Sequence, residues 1–141
     1  MRVVRRIIVA LVAAAMCSCL APQNAFMIDI DMHSWEKVKS ITFENSDTLS
    51  LRDLNIAIRY NDKLKETILP LKIAVMAPDT RIFEDTIALQ LLHPSTALAV
   101  STNESRPYRK EVVLNQKGTY VFSFKPLIEA EGVEAIGIEF K

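Results

Sequence analysis

The fold class this sequence predicts is all-β: an antiparallel β-sandwich, immunoglobulin-like, of about seven or eight strands. Three observations predict it. From Phe26 onward the apolar residues recur with a period of two rather than 3.6. Turn-forming clusters separate the rows at a spacing of roughly 8–15 residues. No window longer than about ten residues sustains a helical period.

Taken in order, Met27–Asp31 and Val38–Glu44 are weaker rows. Leu54, Ile56, Ile58 and Tyr60 then alternate with Asn55, Ala57 and Arg59, and Leu69, Leu71, Ile73 and Val75 with Pro70, Lys72, Ala74 and Met76. Phe83, Ile87, Leu89 and Leu91 form a row broken only by Asp85. Tyr108–Leu114 is a third weak row. Tyr120, Phe122 and Phe124, and finally Ile136, Ile138 and Phe140, complete the series. Each row reads as a strand with one face buried. Turn chemistry lies between them at Asn45-Ser46-Asp47, Asn61-Asp62, Pro78-Asp79, Asn115-Gln116-Lys117-Gly118 and Glu131-Gly132. Asn115–Gly118 is the clearest hairpin. Pro70 has no N–H for a ladder, which assigns its row to a sheet edge or Pro70 itself to a strand beginning. His93 to Pro107 is the longest irregular segment and a place for a functional loop.

The N-terminus is of another kind. Arg2, Arg5 and Arg6 precede an apolar run from Ile7 to Met16, about ten residues and too short to span a bilayer (~20 are needed). That is an export signal. It closes on Met16-Cys17-Ser18-Cys19, with a small residue just before the last cysteine, the arrangement of a lipobox. The reading is a signal peptide at 1–18, a lipidated tether at 19–25 that begins with Cys19, and a domain at 26–141. Cys17 is the alternative lipid site, disfavoured by the bulk of Met16. Arg5-Arg6 lacks the flanks of a twin-arginine signal, so general secretion is expected. Leu20 is not acidic, which makes the outer membrane the expected destination, and no charged cluster directly follows the tether, which points to the periplasmic face.

Removal of residues 1–18 leaves 123 of the 141 residues and 14 basic against 17 acidic side chains, a net charge of −3. A mildly acidic domain of this size has no electrostatic case for binding nucleic acid. Both cysteines fall in the N-terminal segment, so the domain has neither disulfide nor thiol nucleophile.

The remaining residues offer little chemistry. His33 and His93 show no metal-ligand spacing. The three glycines build no phosphate-cradling loop, and no serine stands in a nucleophile elbow. Asp29 and Asp31 share a strand face and read as solvated acids rather than a Ca²⁺ site. Asp79 is explained by the Pro-Asp turn and Asp85 by a strand start, which leaves no carboxylate dyad. Arg59 is expected to pair with a carboxylate on a neighbouring strand, Glu84 or Glu139. No catalytic residue, metal or cofactor is expected. His33, Trp35, Arg106, Pro107, Tyr108 and Arg109 are the candidates for a partner-facing patch, although Trp35 also suits packing over the end of the core.

The order of motifs resembles the gliding-motility lipoprotein H (GldH) family of Bacteroidota. Trp35 and the strand ending at Phe43 begin the likeness. LNIAIRYND at Leu54–Asp62, Pro78-Asp79, DTIALQL at Asp85–Leu91, RPYRKEVVL at Arg106–Leu114, GTYVFSF at Gly118–Phe124 and GVEAIGIEF at Gly132–Phe140 continue it. Lys63-Leu64-Lys65-Glu66 and the stretch from His93 to Pro107 depart from the family pattern. The resemblance implies an envelope lipoprotein whose partners are the membrane, through its lipid, and gliding or associated secretion components. Two readings of function follow: a non-enzymatic structural or accessory component, or a sandwich that captures glycans or peptides.

Overall fold

A computed structural model describes residues 24–93 and 101–141. The export signal, both cysteines and most of the expected tether lie outside them. Eight strands form: β1 (Ala25–Asp29), β2 (Lys39–Asn45), β3 (Arg52–Tyr60), β4 (Ile68–Met76), β5 (Ile82–Gln90), β6 (Thr102–Val112), β7 (Gly118–Pro126) and β8 (Val133–Phe140). All pairing between them is antiparallel, in two four-stranded sheets ordered β1-β8-β3-β6 and β2-β7-β4-β5. The described residues include no helix.

The all-β sandwich is the one the periodicity predicts. Its strand order differs from the immunoglobulin arrangement. β1 pairs with β8, β2 with β7, β3 with β6 and β4 with β5, the pattern of one long hairpin rolled on itself, which is a jelly roll. A consequence is that Asn115–Gly118 is not a hairpin turn. It carries the chain from β6 in one sheet to β7 in the other, held where Asn45 Nδ2 donates to Leu114 O (2.8 Å) and Gln116 O (2.9 Å). The consecutive strands that do pair are β4 and β5. Their turn is closed by Ala77 N–H donating to Arg81 O (2.9 Å) and by Arg81 N–H donating to Asp79 (3.1 Å). That second bond draws the Asp79 carboxyl below the ordinary carboxylate range.

Inward-facing rows from the two sheets make one core. Ile56, Ile58, Ile136 and Ile138 meet Leu69, Leu71, Ile73, Phe122 and Phe124, all essentially inaccessible to water. At the β1/β2 side the core closes on an aromatic cluster. Phe26 stands edge-on to Phe43 (5.1 Å) and to Phe140 (6.4 Å), with Arg52 over the Phe140 ring at 5.4 Å. Strands β3 and β8 are central, and their outer face is sealed as well, because it carries small residues. Ala57, Ala135 and Gly137 sit under a polar layer in which Asn55 donates to Ser105 and Ser105 to Glu139.

Pro70 does not mark an edge, since β4 lies between β7 and β5. It does lie near its strand's beginning. Leu127 N–H donates to Pro70 O (3.0 Å), just beyond the last paired residues Leu71 and Pro126. In an antiparallel ladder a residue's N–H and C=O face the same neighbour, so the missing donor falls where β7 has ended.

The expected irregular stretch from His93 to Pro107 is shorter than its composition indicates. Strand β6 begins at Thr102, and residues 94–100 lie outside the described part. The rolled topology places Asn24, Lys141 and the β2–β3, β4–β5 and β6–β7 connections at one end. The β1–β2, β3–β4 and β7–β8 connections lie at the opposite end.

Candidate functional site

The two sheets are open along the side where the edge strands β5 and β6 face each other, and polar residues fill that mouth. Strand β6 is irregular there. Its register against β3 shifts twice, between Arg52 and Leu54 and between Leu54 and Asn55, and Glu111 takes a left-handed φ of 54°. Glu111 N–H is met by the Asp53 carboxylate (3.0 Å). The shift at Leu54 places Tyr108 and Arg109 together at one position, the effect of a β-bulge. Arg109 then reaches Asp85 on β5 at 2.7 Å, with its guanidinium 5.1 Å from the Phe83 ring and 5.4 Å from the Tyr108 ring. Arg106, one inward position earlier, donates through Nε to Gln90 O (2.9 Å).

Further along the mouth Glu104 gathers two donors and a cation. Tyr60 Oη donates to it at 2.6 Å, Leu92 N–H at 2.9 Å, and Arg106 stands 3.7 Å away. His93 N–H donates to Tyr60 Oη (3.2 Å), and its ring packs edge-on to Tyr60 at 5.1 Å. Burial, and the bond to Glu104, push the Tyr60 phenol up to about 12 from its ordinary 10.0. The neutral phenol is the form the fold favours. Its stabilisation is therefore complete below pH 10 and is lost as pH rises toward 12. Burial raises Tyr108 in the same sense. The urea midpoint is thus expected to fall across this alkaline range, and Tyr60→Phe to fall less steeply. Equal slopes for the two proteins would remove Tyr60 from the account.

Of the six candidate patch residues, the structure brings three together: Arg106, Tyr108 and Arg109. Pro107 faces the other side of its sheet, opposite Asn55. His33 is exposed in the β1–β2 turn, its N–H donating to Asp31 (2.9 Å), and β1 and β6 are opposite edges of one sheet. Trp35 is not at the surface: it is 1% exposed, and its indole N–H donates to Lys37 O (2.8 Å). An isolated bridge to Ala130 draws it over the core's end.

Glu104, Phe83, Asp85 and Gln90 complete the mouth and were not among the candidates. Asp85 had a visible signal, an acid at an inward position of an apolar row. It lies inside β5 rather than at a strand start. Arg59 pairs with Asp29 (3.3 Å) and Glu134 (3.4 Å), whereas Glu84 pairs with Lys72 (3.0 Å) and Glu139 accepts from Ser105. Such half-exposed pairs contribute only ~0–1 kcal/mol each. No group of three or more His, Cys, Asp or Glu side chains among the described residues is placed to hold a metal. A pocket of about 360 Å³ lies between Asn24, Phe26, Phe43, Arg52, Phe140 and Lys141, where the chain enters the domain.

Against this fold, residues 26–140 match the family description of the GldH lipoproteins, which is nearly the whole described domain. The chain belongs to the GldH lipoprotein family. No curated protein matches it. GldH proteins are associated with gliding motility and anchored in the cell envelope as lipoproteins. The motifs that carried the resemblance are therefore strands of the jelly roll: LNIAIRYND is β3 and its turn, GTYVFSF is β7 and GVEAIGIEF is β8.

Proposed function

We propose that a lipid on Cys19 holds this GldH chain at the periplasmic face of the outer membrane. There it serves as a non-enzymatic accessory component of the gliding machinery or an associated secretion machinery. One observation carries the reading: the family match begins at residue 26, directly behind a lipobox that ends at Cys19. The five residues between Cys19 and Ala25 reach at most about 20 Å. The end of the sandwich bearing Asn24 is then the one held near the bilayer. Two or three acyl chains make such anchoring stable, where a single chain is marginal. Tethering raises the domain's effective concentration toward other envelope proteins, so weak contacts suffice. The alternative, a module that captures glycans or peptides, wants several exposed aromatics on one face. Among the described residues Phe83 is the exposed one, and Arg109 lies over it.

The test compares full-length protein with Cys19→Ala under metabolic lipid labelling, membrane fractionation and pull-down. Label and outer-membrane fractionation are expected to vanish in the variant, while wild type co-purifies with envelope proteins. Label retained on Cys19→Ala would transfer the anchor to Cys17. Neither protein labelled, and both soluble, would overturn the anchored reading in favour of a free binding module.

A further inference from the structure

The end of the sandwich where the chain enters carries apolar side chains that the core does not use. The β2–β3 connection borders the entry, because Arg52, the residue that follows it, lines one pocket with Asn24 and Lys141. Within that connection the Asp47 carboxylate accepts from Leu49 N–H (3.1 Å) and Ser50 N–H (3.0 Å) and pairs with Arg52 (3.4 Å). The turn so fixed leaves Leu49 87% and Leu51 64% exposed. Val113 follows the Arg52–Val112 pair as Leu51 precedes it, so it lies beside Leu51 and, 40% exposed, extends the apolar surface onto the end of β6.

Exposed leucines alone do not name a partner. Ile68, Leu92 and Leu127 are exposed as well, at the opposite end. What separates the two ends is the anchor. With lipid on Cys19, the five residues before Ala25 reach at most about 20 Å from the headgroups. A nine-residue strand such as β3 or β4 is itself about 30 Å long, at roughly 3.3 Å per residue. The tether is shorter than the sandwich, so the domain cannot invert and stand Leu92 or Leu127 on the bilayer that holds it. Leu49, Leu51 and Val113 belong to the end that stays within reach.

Given the lipid on Cys19 proposed above, we propose that Leu49, Leu51 and Val113 dock the domain on the bilayer in which that lipid is held. Their side chains enter the boundary between headgroups and acyl chains, where binding strength scales with the apolar area buried. So small a surface binds weakly from solution, and the tether supplies the effective concentration that makes it sufficient. The contact is apolar rather than electrostatic. The domain is mildly acidic, and the charges nearest the leucines, Asp47 and Arg52, pair with each other. A zwitterionic bilayer is therefore enough, and salt does not weaken the docking. Docking stands the sandwich upright and turns the β1–β2, β3–β4 and β7–β8 connections away from the membrane, toward other envelope proteins.

The experiment reconstitutes the full-length, lipidated protein into phosphatidylcholine vesicles with brominated acyl chains. A reporter is placed by Leu49→Trp or, at the opposite end, by Leu127→Trp, and the buried Trp35 of the unsubstituted chain gives the common background. Flotation with the vesicles reads the anchor and bromine quenching reads the docking, so the two fail separately. Leu49→Trp is expected to be quenched several-fold more strongly than Leu127→Trp, equally at low and high salt. Leu51→Asp added to Leu49→Trp is expected to abolish the quenching while flotation is kept. Floating Leu49→Trp without quenching, equal quenching at both ends, or quenching that survives Leu51→Asp or is removed by salt would overturn the docking and leave the anchor standing. Protein that does not float would overturn both. In native membranes a photo-cross-linking residue at position 49 is expected to capture lipid. Capture of a protein of defined mass instead would overturn the proposal in favour of a partner chain.

Discussion

Trp35→Ala is expected to lower the unfolding free energy by about 3–5 kcal/mol, the range for removing a buried large aromatic. The ring is 1% exposed, and the backbone that carries it is tied to Ala130 in both directions, Trp35 N–H to Ala130 O at 2.8 Å and Ala130 N–H to Trp35 O at 3.0 Å. Collapse around the vacated volume is limited because Ala130 is itself fully buried. Truncation also strips Lys37 O of its indole donor. Trp35→Phe keeps most of the packing and loses that hydrogen bond, so its smaller cost separates the two contributions, the bond being worth about 1 kcal/mol. Urea unfolding followed by far-ultraviolet dichroism reads both variants without relying on tryptophan emission. A loss below about 1 kcal/mol for Trp35→Ala would mean that the ring does not hold the core's end. Against a total stability of about 5–15 kcal/mol, the expected loss is enough to deplete the folded protein in a cell.

Gly137→Ala is expected to cost about 3 kcal/mol by a different route, overpacking against backbone. A Cβ at Gly137 would stand 2.7 Å from Met27 Cα and 2.8 Å from the Phe26 carbonyl carbon. Neither atom can rotate away, so strand β1 must move. β1 is an edge strand whose ladder is to β8 alone, in register Met27 with Gly137. The loss should therefore be local before it is global. Amide exchange over Ala25–Asp29 is expected to accelerate well ahead of exchange in β3, β4 and β7. Wild-type protection of β1 in the alanine variant would show that the sheet accommodates a methyl group there. Gly132 differs in kind: its φ of +92° is left-handed, so any side chain there is strained by conformation as well as by the close Asn61 Oδ1 at 2.7 Å.

Strands β3, β4, β5, β7 and β8 are legible in the sequence because each carries an apolar row that a half-buried strand requires. Of β6 only the half from Tyr108 onward reads as a row, a weak one; Thr102–Pro107 does not, and the reason is its position. Its inward residues Glu104 and Arg106 need no apolar environment at this side of the sandwich, where Tyr60 and Gln90 supply polar partners. The polar composition of that half therefore reads as loop. Trp35 packs over the core's end, as a lone tryptophan flanking a strand suggests, and the structure adds its partner, Ala130 in the β7–β8 connection.

The sequence by itself determined the all-β class and the face of each regular strand, because these depend on hydropathy and period over neighbouring residues. Only the tertiary structure decided the jelly-roll order, the bridge from Trp35 to Ala130, and the meeting of Arg109 with Asp85 and of Arg106 with Glu104. A period of two tells a residue which side of its strand it occupies and nothing about which strand lies next to it. That choice is made by contacts between segments far apart in the chain, as the 115–118 crossover shows. The same turn residues end a strand whether the chain returns to its own sheet or crosses to the other.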